Sequence, residues 1–407
     1  MKWGIFHRVI GLFPQRFKFF VVFVGSHLLA VISILIPKDS KRIMLISYPS
    51  FAGNMRYIYE RMKELEQFRD YKFIWPVENK GVFGKRENTK FVMYGTVEYL
   101  WQLLRSKYIF SSQRIPYWKA KNQIGVMIWH AVPGKRGFWF DKRYQSWVGR
   151  LILKSTLRKI DYVVATSEFT KVLFSAIFHI HPEKILVLGM PRCDALFKEK
   201  GEALKRLESL LGSKIKNRRI VFYLPTFRDY DRRVTQELFT NLVKDQKFRE
   251  YLEQRKALFI FKPHPHDEVF VKKYSDEYIR VITNHELMEA GLTLYDILPA
   301  ADILVTDYSS VFRDYLLLNR PVIFYIPDKK KYCETRGLVL EPFELWTPGD
   351  KAKTVEELLK ALDEAFENPK KWEKERLWLR DLFFKYKDDR SSDRVIEYFW
   401  PLSSVKK

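Results

Sequence analysis

The sequence predicts an α/β protein built of two successive doubly wound domains. Short runs of β-branched and aromatic residues alternate with helix-length stretches, which is typical of βαβ units around a parallel sheet. The alternation occurs in two series, separated by a polar, Lys-rich helical stretch at 200–217. We therefore expect four segments: an N-terminal segment at 1–40, domains at 41–212 and 213–390, and a C-terminal helix and tail at 391–407.

Each series supplies its own set of predicted strands. In the first series they are 42–48, 71–75, 90–93, 107–111, 124–129, 161–165 and 185–188. In the second series they are 219–224, 257–261, 303–306 and 321–325. Helices are predicted at 54–66, 144–158 and 168–178, and from 354 onward.

The formal net charge of +23 is unusually large for a chain of 407 residues. Such a field attracts nucleic acid, anionic lipid or a phosphate-rich substrate, and charge alone does not choose among them. No nucleic-acid recognition motif or ordered basic–aromatic platform is present, which disfavours nucleic acid. The two cysteines, Cys193 and Cys333, form no CxxC pattern, so a reducing, cytoplasmic setting is the simplest interpretation.

The uncharged run at 19–36 (FFVVFVGSHLLAVISILI) lies between basic residues and indicates membrane contact. A cleaved signal peptide is disfavoured because Pro37-Lys38-Asp39 is not a small-residue cleavage site. A single span and a helix lying in the interface both remain open. Ser26 and His27 favour the interfacial helix, and a buried core element is the remaining alternative.

Polar residues that could carry chemistry follow the predicted strands, where ligands of doubly wound sheets bind. After the strand 303–306, Asp307 and Tyr308 lead into Ser309-Ser310, which open a helix. A helix start with two hydroxyls suits a pyrophosphate, and a simple helix cap without a ligand is the alternative.

His130 follows the strand 124–129 and precedes a loop that contains Lys135 and Arg136. A histidine at a strand end is placed to accept a proton near a phosphate. The neighbouring cations would lower its pKa and keep it neutral, as a base requires. The alternative is a structural histidine bonded to a loop carbonyl.

Three further loops carry candidate residues. Lys262 and His264 follow the strand 257–261 in a loop stiffened by two prolines, where phosphate contact is favoured over half of a metal site. Thr226 and Arg228 follow the strand 219–224, and the alternative for Arg228 is a surface salt bridge with Asp229. The segment 189–194 closes the first domain and is either a binding loop or a turn. No GxxxxGK[ST], GxGxxG or HExxH motif is present, which disfavours P-loop NTPases and typical dehydrogenases.

Taken together, these segments resemble the CDP-glycerol glycerophosphotransferase family, whose enzymes prime and polymerise teichoic acids. The matching segments occur in the family's order between Arg42 and Leu362. They are Trp129-His130 with Pro133 and Lys135, the segment 189–194, Pro225 to Asp229, His264-Pro265, TDYSSV at 306–311 with Asp314, Arg320-Pro321, Asp328, Tyr332, Arg336-Gly337 and Thr347 to Gly349.

The chain departs from the family pattern at four positions. Ala131, Val132 and Gly134 replace the usual Gly, Thr and Leu, and Arg313 stands where an apolar residue is usual. These changes lie beside the predicted base, so a related polyol or sugar phosphate is an alternative transferred unit.

The resemblance implies a GT-B fold, with two Rossmann-like domains, an interdomain cleft and a nucleotide held mainly by the second domain. It also implies peripheral association with the cytoplasmic face of the membrane. The implied reaction transfers glycerol phosphate from CDP-glycerol to a hydroxyl of an undecaprenyl-diphosphate-linked acceptor and releases CMP. The chain length is closer to that of the priming enzyme, although short polymerases exist. A GT-B glycosyltransferase and a non-catalytic membrane scaffold are the rival interpretations.

The predicted site assigns a role to each of these residues. His130 is the expected base and His264 the second catalytic residue. The expected donor and phosphate ligands are Thr226, Arg228, Lys262, Asp307, Ser309, Ser310 and Asp314, the last on the ribose. The possible acceptor or loop residues are Lys135, Arg136, Arg192 and Asp194. We expect CDP-glycerol as co-substrate, a polyprenyl-diphosphate-linked saccharide as acceptor and an anionic membrane surface as partner, with no metal site, other cofactor or nucleic acid.

Overall fold

The computed structural model describes residues 31–141, 144–215, 217–228, 230–231, 233–269 and 274–401. The chain divides into two compact units. The first unit is made of 1–130, 137–192 and 390–407, and the second of 131–136 and 193–389.

The described secondary structure alternates strands and helices in both units. The strands are β1 Asp39–Ile46, β2 Lys72–Val77, β3 Thr89–Met93, β4 Ser106–Ser111, β5 Ile124–Met127, β6 Tyr162–Ala165, β7 Ile185–Val187, β8 Arg219–Tyr223, β9 Ala257–Phe261, β10 Ile279–Val281, β11 Ile303–Thr306, β12 Val322–Tyr325 and β13 Asp350–Ala352. The helices that follow β1 are α1 Gly53–Glu64, α2 Val97–Arg105, α3 Trp147–Leu157, α4 Glu168–Phe178, α5 Lys200–Leu211, α6 Val234–Lys244, α7 Gln246–Gln254, α8 Asn284–Glu289, α9 Leu294–Ile297, α10 Val311–Tyr315, α11 Lys329–Thr335, α12 Val355–Glu367, α13 Glu373–Phe383 and α14 Ser391–Phe399.

The first unit contains a parallel sheet with the order β3-β2-β1-β4-β5-β6-β7. The central strand β1 pairs with β2 and β4, so that Ile43 is opposite both Phe73 and Tyr108. The strand order reverses direction between β1 and β4, which makes this the switch point of the sheet. Crevices at such points bind ligands beyond the carboxyl ends of the strands.

The second unit repeats this topology with a parallel sheet of order β10-β9-β8-β11-β12-β13. Its switch point lies between β8 and β11, where Val221 is opposite Ile303. The central strands are apolar along their length because helices cover both faces, and Val221 and Phe261 are fully buried. The prediction of two doubly wound parallel sheets is confirmed.

Two edge strands and the segment boundaries differ from the predictions. The edge strands β10 and β13, which have three residues each, were not predicted. The predicted connector at 200–217 contains α5, which packs within the second unit and pairs Arg206 with Asp296 at 2.9 Å. The chain therefore passes to the second unit at Cys193, earlier than the predicted boundary at 212/213.

The C-terminal helix is not a separate tail. α14 packs against α1 in the first unit, where Asp393 Oδ1 accepts a hydrogen bond from Arg61 Nε at 2.6 Å. Trp400 packs edge-on against Phe68. The described part of 391–407 thus completes the first unit.

Most of the predicted membrane segment lies outside the described residues, since the description begins at Val31. Residues 31–35 are helical, and Val31 and Leu35 are 63% and 82% exposed. Lys38 fastens this turn to the first unit, because its Nζ donates to Ser33 O at 2.5 Å and to Leu104 O at 2.6 Å. Within the described part of the chain, no helix has both the length and the apolar character needed to cross a bilayer.

Candidate active site

The switch point of the second sheet brings two of the predicted loops together. Leu224 N donates to Val305 O at 3.0 Å, so the loops after β8 and β11 start side by side. Asp307 connects them, because Oδ1 accepts from Thr226 N at 2.9 Å and from Ser309 N at 3.0 Å. Asp307 is fully buried. It therefore shapes the two loops, and the predicted direct contact with a phosphate is not available to this carboxylate.

Arg228 is also a supporting residue of this edge. Its side chain is fully buried, and its guanidinium pairs with Asp307 and, at 3.1 Å, with Asp328. Burial by itself lowers the pKa of Arg228, but the two carboxylates outweigh it and raise that pKa above its ordinary value. Asp229, the partner in the alternative of a surface salt bridge, lies outside the described residues. Its burial and its two carboxylate partners disfavour the predicted phosphate contact of Arg228, which stays a prediction.

Asp328 organises a tyrosine cluster that the sequence analysis did not assign to the site. It accepts hydrogen bonds from Tyr230 and from Tyr308 Oη, the latter at 3.1 Å. Tyr308 stacks on Tyr332 with 3.8 Å between ring centroids. The available signal was the family motif, which contains Tyr308, Asp328 and Tyr332. Asp328 thereby connects the tyrosines to Arg228, which it shares with Asp307 as an ion-pair partner.

Ser309 and Ser310 precede α10, as predicted, but their hydroxyls do not cap it in the expected way. Ser310 is the N-cap residue and makes no side-chain cap hydrogen bond. Ser309 Oγ accepts a long bond, 3.5 Å, from Val311 N. α10 has five residues, so its dipole alone is a weak anion site. Both serines are half-buried, which leaves their hydroxyls as donors at this edge.

Asp314 lies within α10 and is fully buried. Its carboxylate accepts a hydrogen bond from the Tyr295 hydroxyl. The predicted contact with a ribose is therefore not offered by this geometry, because the carboxylate belongs to the interior of the second unit.

Lys262 stands at the end of β9, next to β8, since its backbone N donates to Tyr223 O at 3.0 Å. Its ammonium is buried and lies 3.9 Å from Glu268. Burial lowers the pKa of Lys262 to about 8, against the opposing charge of Glu268. The group is a cation at neutral pH, and a bound anion would offset the cost of burying its charge.

His264 follows in the same loop, and its backbone neighbour decides its tautomer. The His266 N–H donates to His264 Nδ1 at 3.2 Å. Because Nδ1 is the acceptor, the proton of the neutral imidazole is on Nε2. Phe227 from the loop after β8 stacks on this ring with 5.6 Å between centroids. His264 is thereby a hydrogen-bond donor through Nε2, which suits a phosphate oxygen.

The loop 131–136 brings Lys135 and Arg136 into the second unit. Lys135 forms an antiparallel bridge with Leu338, and its Nζ donates to Thr226 Oγ1 at 3.3 Å. Burial lowers the pKa of Lys135 to about 7; Asp307 raises it, while neighbouring arginines lower it further. Arg136 is exposed, with Nε donating to Leu338 O at 3.2 Å. Lys135 Nζ thus lies at the carboxyl end of β8, and Lys262 follows the adjacent strand β9.

In the first unit, His130 lies beyond β5, beside the residue that follows β4. Its Nδ1 is 3.1 Å from Ser112 O. A carbonyl oxygen can only accept, so Nδ1 carries the proton and Nε2 is the proton-accepting nitrogen of the neutral ring. His130 is exposed. This is the protonation state that a general base requires.

Asn54 and Arg192 clamp the backbone around His130. Arg192 Nη1 donates to His130 O at 2.5 Å, and Asn54 Nδ2 donates to Trp129 O at 3.2 Å. Arg192 N in turn donates to Asn54 Oδ1 at 3.1 Å. Arg192, predicted as an acceptor or loop residue, is buried and supports His130. No sequence pattern indicated Asn54, because it lies in α1, far from His130 along the chain.

Asp194 is the remaining predicted residue. It is half-buried in the short 3-10 turn Pro191–Phe197 and belongs to the second unit, whereas Arg192 belongs to the first. Among the described residues, no group of three or more His, Cys, Asp or Glu side chains is arranged to hold a metal ion.

Comparisons with known proteins agree with this fold and with the motifs. The sequence model of CDP-Glycerol:Poly(glycerophosphate) glycerophosphotransferase matches residues 28–401. The teichoic acid poly(glycerol phosphate) polymerase of Bacillus spizizenii is 27% identical, over 86% of this chain and 89% of that protein. The teichoic acid glycerol-phosphate primase of Bacillus subtilis is 30% identical, over 70% of each chain.

A solved structure of the wall teichoic acid polymerase TagF has the same fold, with a TM-score of 0.79 and 21% identity over 92% of both chains. The two doubly wound sheets are accordingly those of a GT-B-like fold. The match to the family model extends over most of the sequence, well beyond the loops described above. The chain therefore belongs to the CDP-glycerol:poly(glycerophosphate) glycerophosphotransferase family and is a phosphotransferase of that family.

Proposed function

We propose that this protein transfers glycerol phosphate from CDP-glycerol to a hydroxyl of an undecaprenyl-diphosphate-linked acceptor and releases CMP, as the priming step of teichoic acid synthesis. The observation that carries the proposal is the set of donors at the carboxyl ends of β8 and β9: the Lys135 and Lys262 ammonium groups and His264 Nε2–H. These groups offer charge and hydrogen bonds to a diphosphate.

The chemistry needs few further groups. In phosphoryl transfer the protein chiefly positions the reactants and stabilises the charge that develops on the phosphoryl and leaving-group oxygens. Lys135, Lys262 and His264 would bind the diphosphate of the donor, and the Ser309 and Ser310 hydroxyls would add hydrogen bonds. Arg228 and Asp307 would hold the loops in position without touching the donor.

His130 is the proposed base. The acceptor hydroxyl oxygen attacks the phosphorus that bears the glycerol, and a new P–O bond forms. The bond between that phosphorus and the bridging oxygen breaks, and CMP leaves with the bridging oxygen and its electron pair. The hydroxyl proton passes to His130 Nε2, the nitrogen that the bond to Ser112 O leaves unprotonated.

We place the reaction at the cytoplasmic face of the membrane, with the protein bound peripherally. Trp147 and Leu151 of α3 are 78% and 50% exposed, and Lys154 and Arg158 lie on the same side of this helix at helical spacing. Exposed apolar and cationic side chains on one helix face are suited to an anionic bilayer. Residues 31–35 add further exposed apolar surface at the end of the predicted membrane segment.

A donor-comparison assay tests the proposal. The full-length protein is incubated with a lipid-linked disaccharide acceptor and CDP-glycerol, CDP-ribitol or UDP-sugars, and released CMP and UDP are measured. We expect CMP from CDP-glycerol and a product that carries one added unit. CMP only from CDP-ribitol would change the donor, a long product would identify a polymerase, and UDP release alone would favour the glycosyltransferase.

Vesicle co-sedimentation tests the location separately. Binding to vesicles that contain phosphatidylglycerol should exceed binding to phosphatidylcholine vesicles and should fall in Trp147→Ala/Leu151→Ala. The double variant should turn over a soluble acceptor analogue at the parent rate. Equal binding of parent and variant would remove α3 from the membrane contact.

A further inference from the structure

Gly134 is a glycine because of the space around it, not because of its backbone conformation. Its φ lies outside the left-handed region, so an L-residue would fit the backbone without strain. However, a Cβ built on Gly134 would lie 2.2 Å from Arg313 Nη2 and 2.6 Å from Arg313 Cζ. The guanidinium of Arg313 therefore occupies the volume that a side chain at position 134 would need.

Arg313 has little freedom to move away. Its side chain is buried, and its guanidinium packs against the rings of Phe312 and Phe383, with 4.6 and 5.7 Å from Cζ to the ring centroids. Nε and Nη1 are buried and donate no hydrogen bond among the residues that the structure describes. A buried arginine of this kind is held by packing and not by a carboxylate fork.

The same contact fixes the loop that carries Lys135. The carbonyl oxygen of Gly134 accepts a hydrogen bond from Val339 N at 3.1 Å. The adjacent bridge between Lys135 and Leu338 continues this attachment. Lys135 Nζ then reaches Thr226 Oγ1 at 3.3 Å. A displacement at Gly134 would be transmitted to Lys135 through one peptide bond.

We propose that Gly134 and Arg313 are an interlocked positioning pair, in which the arginine takes the place of a side chain at 134 and sets Lys135 against the end of β8. The two departures from the family pattern noted in the sequence are then one coupled change: the glycine makes room and the arginine fills it. The role in catalysis rests on the proposed function, whereas the interlock itself does not.

A double-mutant cycle tests the pair in the full-length protein. The variants are Gly134→Leu, Arg313→Leu and the double variant. In the double variant, the leucine at position 134 can use the space that the Arg313 guanidinium no longer occupies. We expect Gly134→Leu to lower kcat/KM for the CDP-activated donor at least tenfold, and the double variant to recover most of that loss. Gly201→Ala is the control, because nothing lies within 4 Å of a Cβ at that position; it should leave activity unchanged and should not lower Tm, since alanine favours the helix that contains it.

Thermal unfolding of the parent and the three cycle variants separates the interlock from the proposed function. Strong coupling in Tm together with no transferase activity in the parent would retain the interlock and refute the proposed function. Losses that simply add in both Tm and kcat/KM would overturn the interlock, and so would a Gly134→Leu variant with parental Tm. Recovery of Tm without recovery of kcat/KM in the double variant would refute the positioning of Lys135.

Discussion

The regions around His130 and His264 place the same side chain at the same kind of position, yet the proton of the neutral ring is on a different nitrogen in each. Each histidine follows a buried strand of a doubly wound sheet. Ser112 O holds the proton on Nδ1 of His130, whereas the His266 N–H holds the proton on Nε2 of His264. The first ring can accept a proton at Nε2, and the second can donate one. The backbone partner, not the residue type, therefore decides the chemistry.

Replacement of His130 should have the largest effect. His130→Ala and His130→Gln should both lower kcat by about 100-fold or more, because neither side chain can accept the hydroxyl proton. Single-turnover measurement of CMP release at pH 7 tests this expectation. His181→Ala is the control in the same unit, since His181 is an exposed residue of a short 3-10 turn. Near-parental turnover in His130→Ala would remove His130 from the role of base.

Glutamine should distinguish His264 from His130. His264→Ala should lower kcat by about 100-fold through the loss of one donor to the phosphate. His264→Gln should lose only about tenfold, because the glutamine amide can present an N–H near the position of Nε2. The ratio of the Gln to the Ala rates at each site is the measurement, with the exposed His285→Ala as control. Equal ratios at both sites would contradict the assignment of opposite tautomers.

The lysines should limit activity in alkaline solution. Burial lowers the pKa of Lys135 to about 7 and that of Lys262 to about 8, so both ammonium groups lose their protons as the pH rises to 9. We expect kcat/KM for the donor to fall about tenfold between pH 7 and pH 9, since the free enzyme loses diphosphate-binding charge. Lys262→Arg should make this fall smaller, because only Lys135 then loses its proton in this range, and Lys262→Met should be weak throughout. A flat profile in the parent would argue against ammonium–diphosphate contacts.

The same lysines give a prediction for stability. Their folded-state pKa values lie below the unfolded value, so the unfolded chain binds more protons between these values. The free energy of unfolding should therefore rise with pH from about 7 toward 10 through these groups. In Lys262→Met this rise should be smaller when measured by denaturant unfolding at a series of pH values.

Loss of the clamp at His130 should have the smallest effect. Asn54→Ala removes hydrogen bonds to the carbonyl oxygens of Ile128 and Trp129, and it leaves the imidazole itself intact. We expect kcat to fall about threefold to tenfold and the free energy of unfolding to fall by about 1–3 kcal/mol, with KM for the donor unchanged. A rise in donor KM instead would mean that Asn54 acts on the second unit's loops.

The site was less predictable than the fold because a motif gives the chain position of a residue but not its partners. From the sequence alone, Asp307, Arg228 and Asp314 are predicted ligands of the donor. The structure makes Asp307 and Arg228 a buried ion pair and hydrogen-bonds Asp314 to Tyr295. Charged residues that support a site and charged residues that bind a ligand look alike in one sequence, and only burial and pairing distinguish them.

The sequence by itself determined the two parallel sheets, because their central strands are apolar runs bounded by polar loops, and this pattern is local. It also determined which loops carry the candidate residues, since the polar residues come directly after those runs. Tertiary structure alone decided where the chain passes between the units, which nitrogen of each histidine carries its proton and which cations remain for a substrate. Those properties depend on partners such as Ser112, Asn54 and Asp328, which are close in space but distant along the chain.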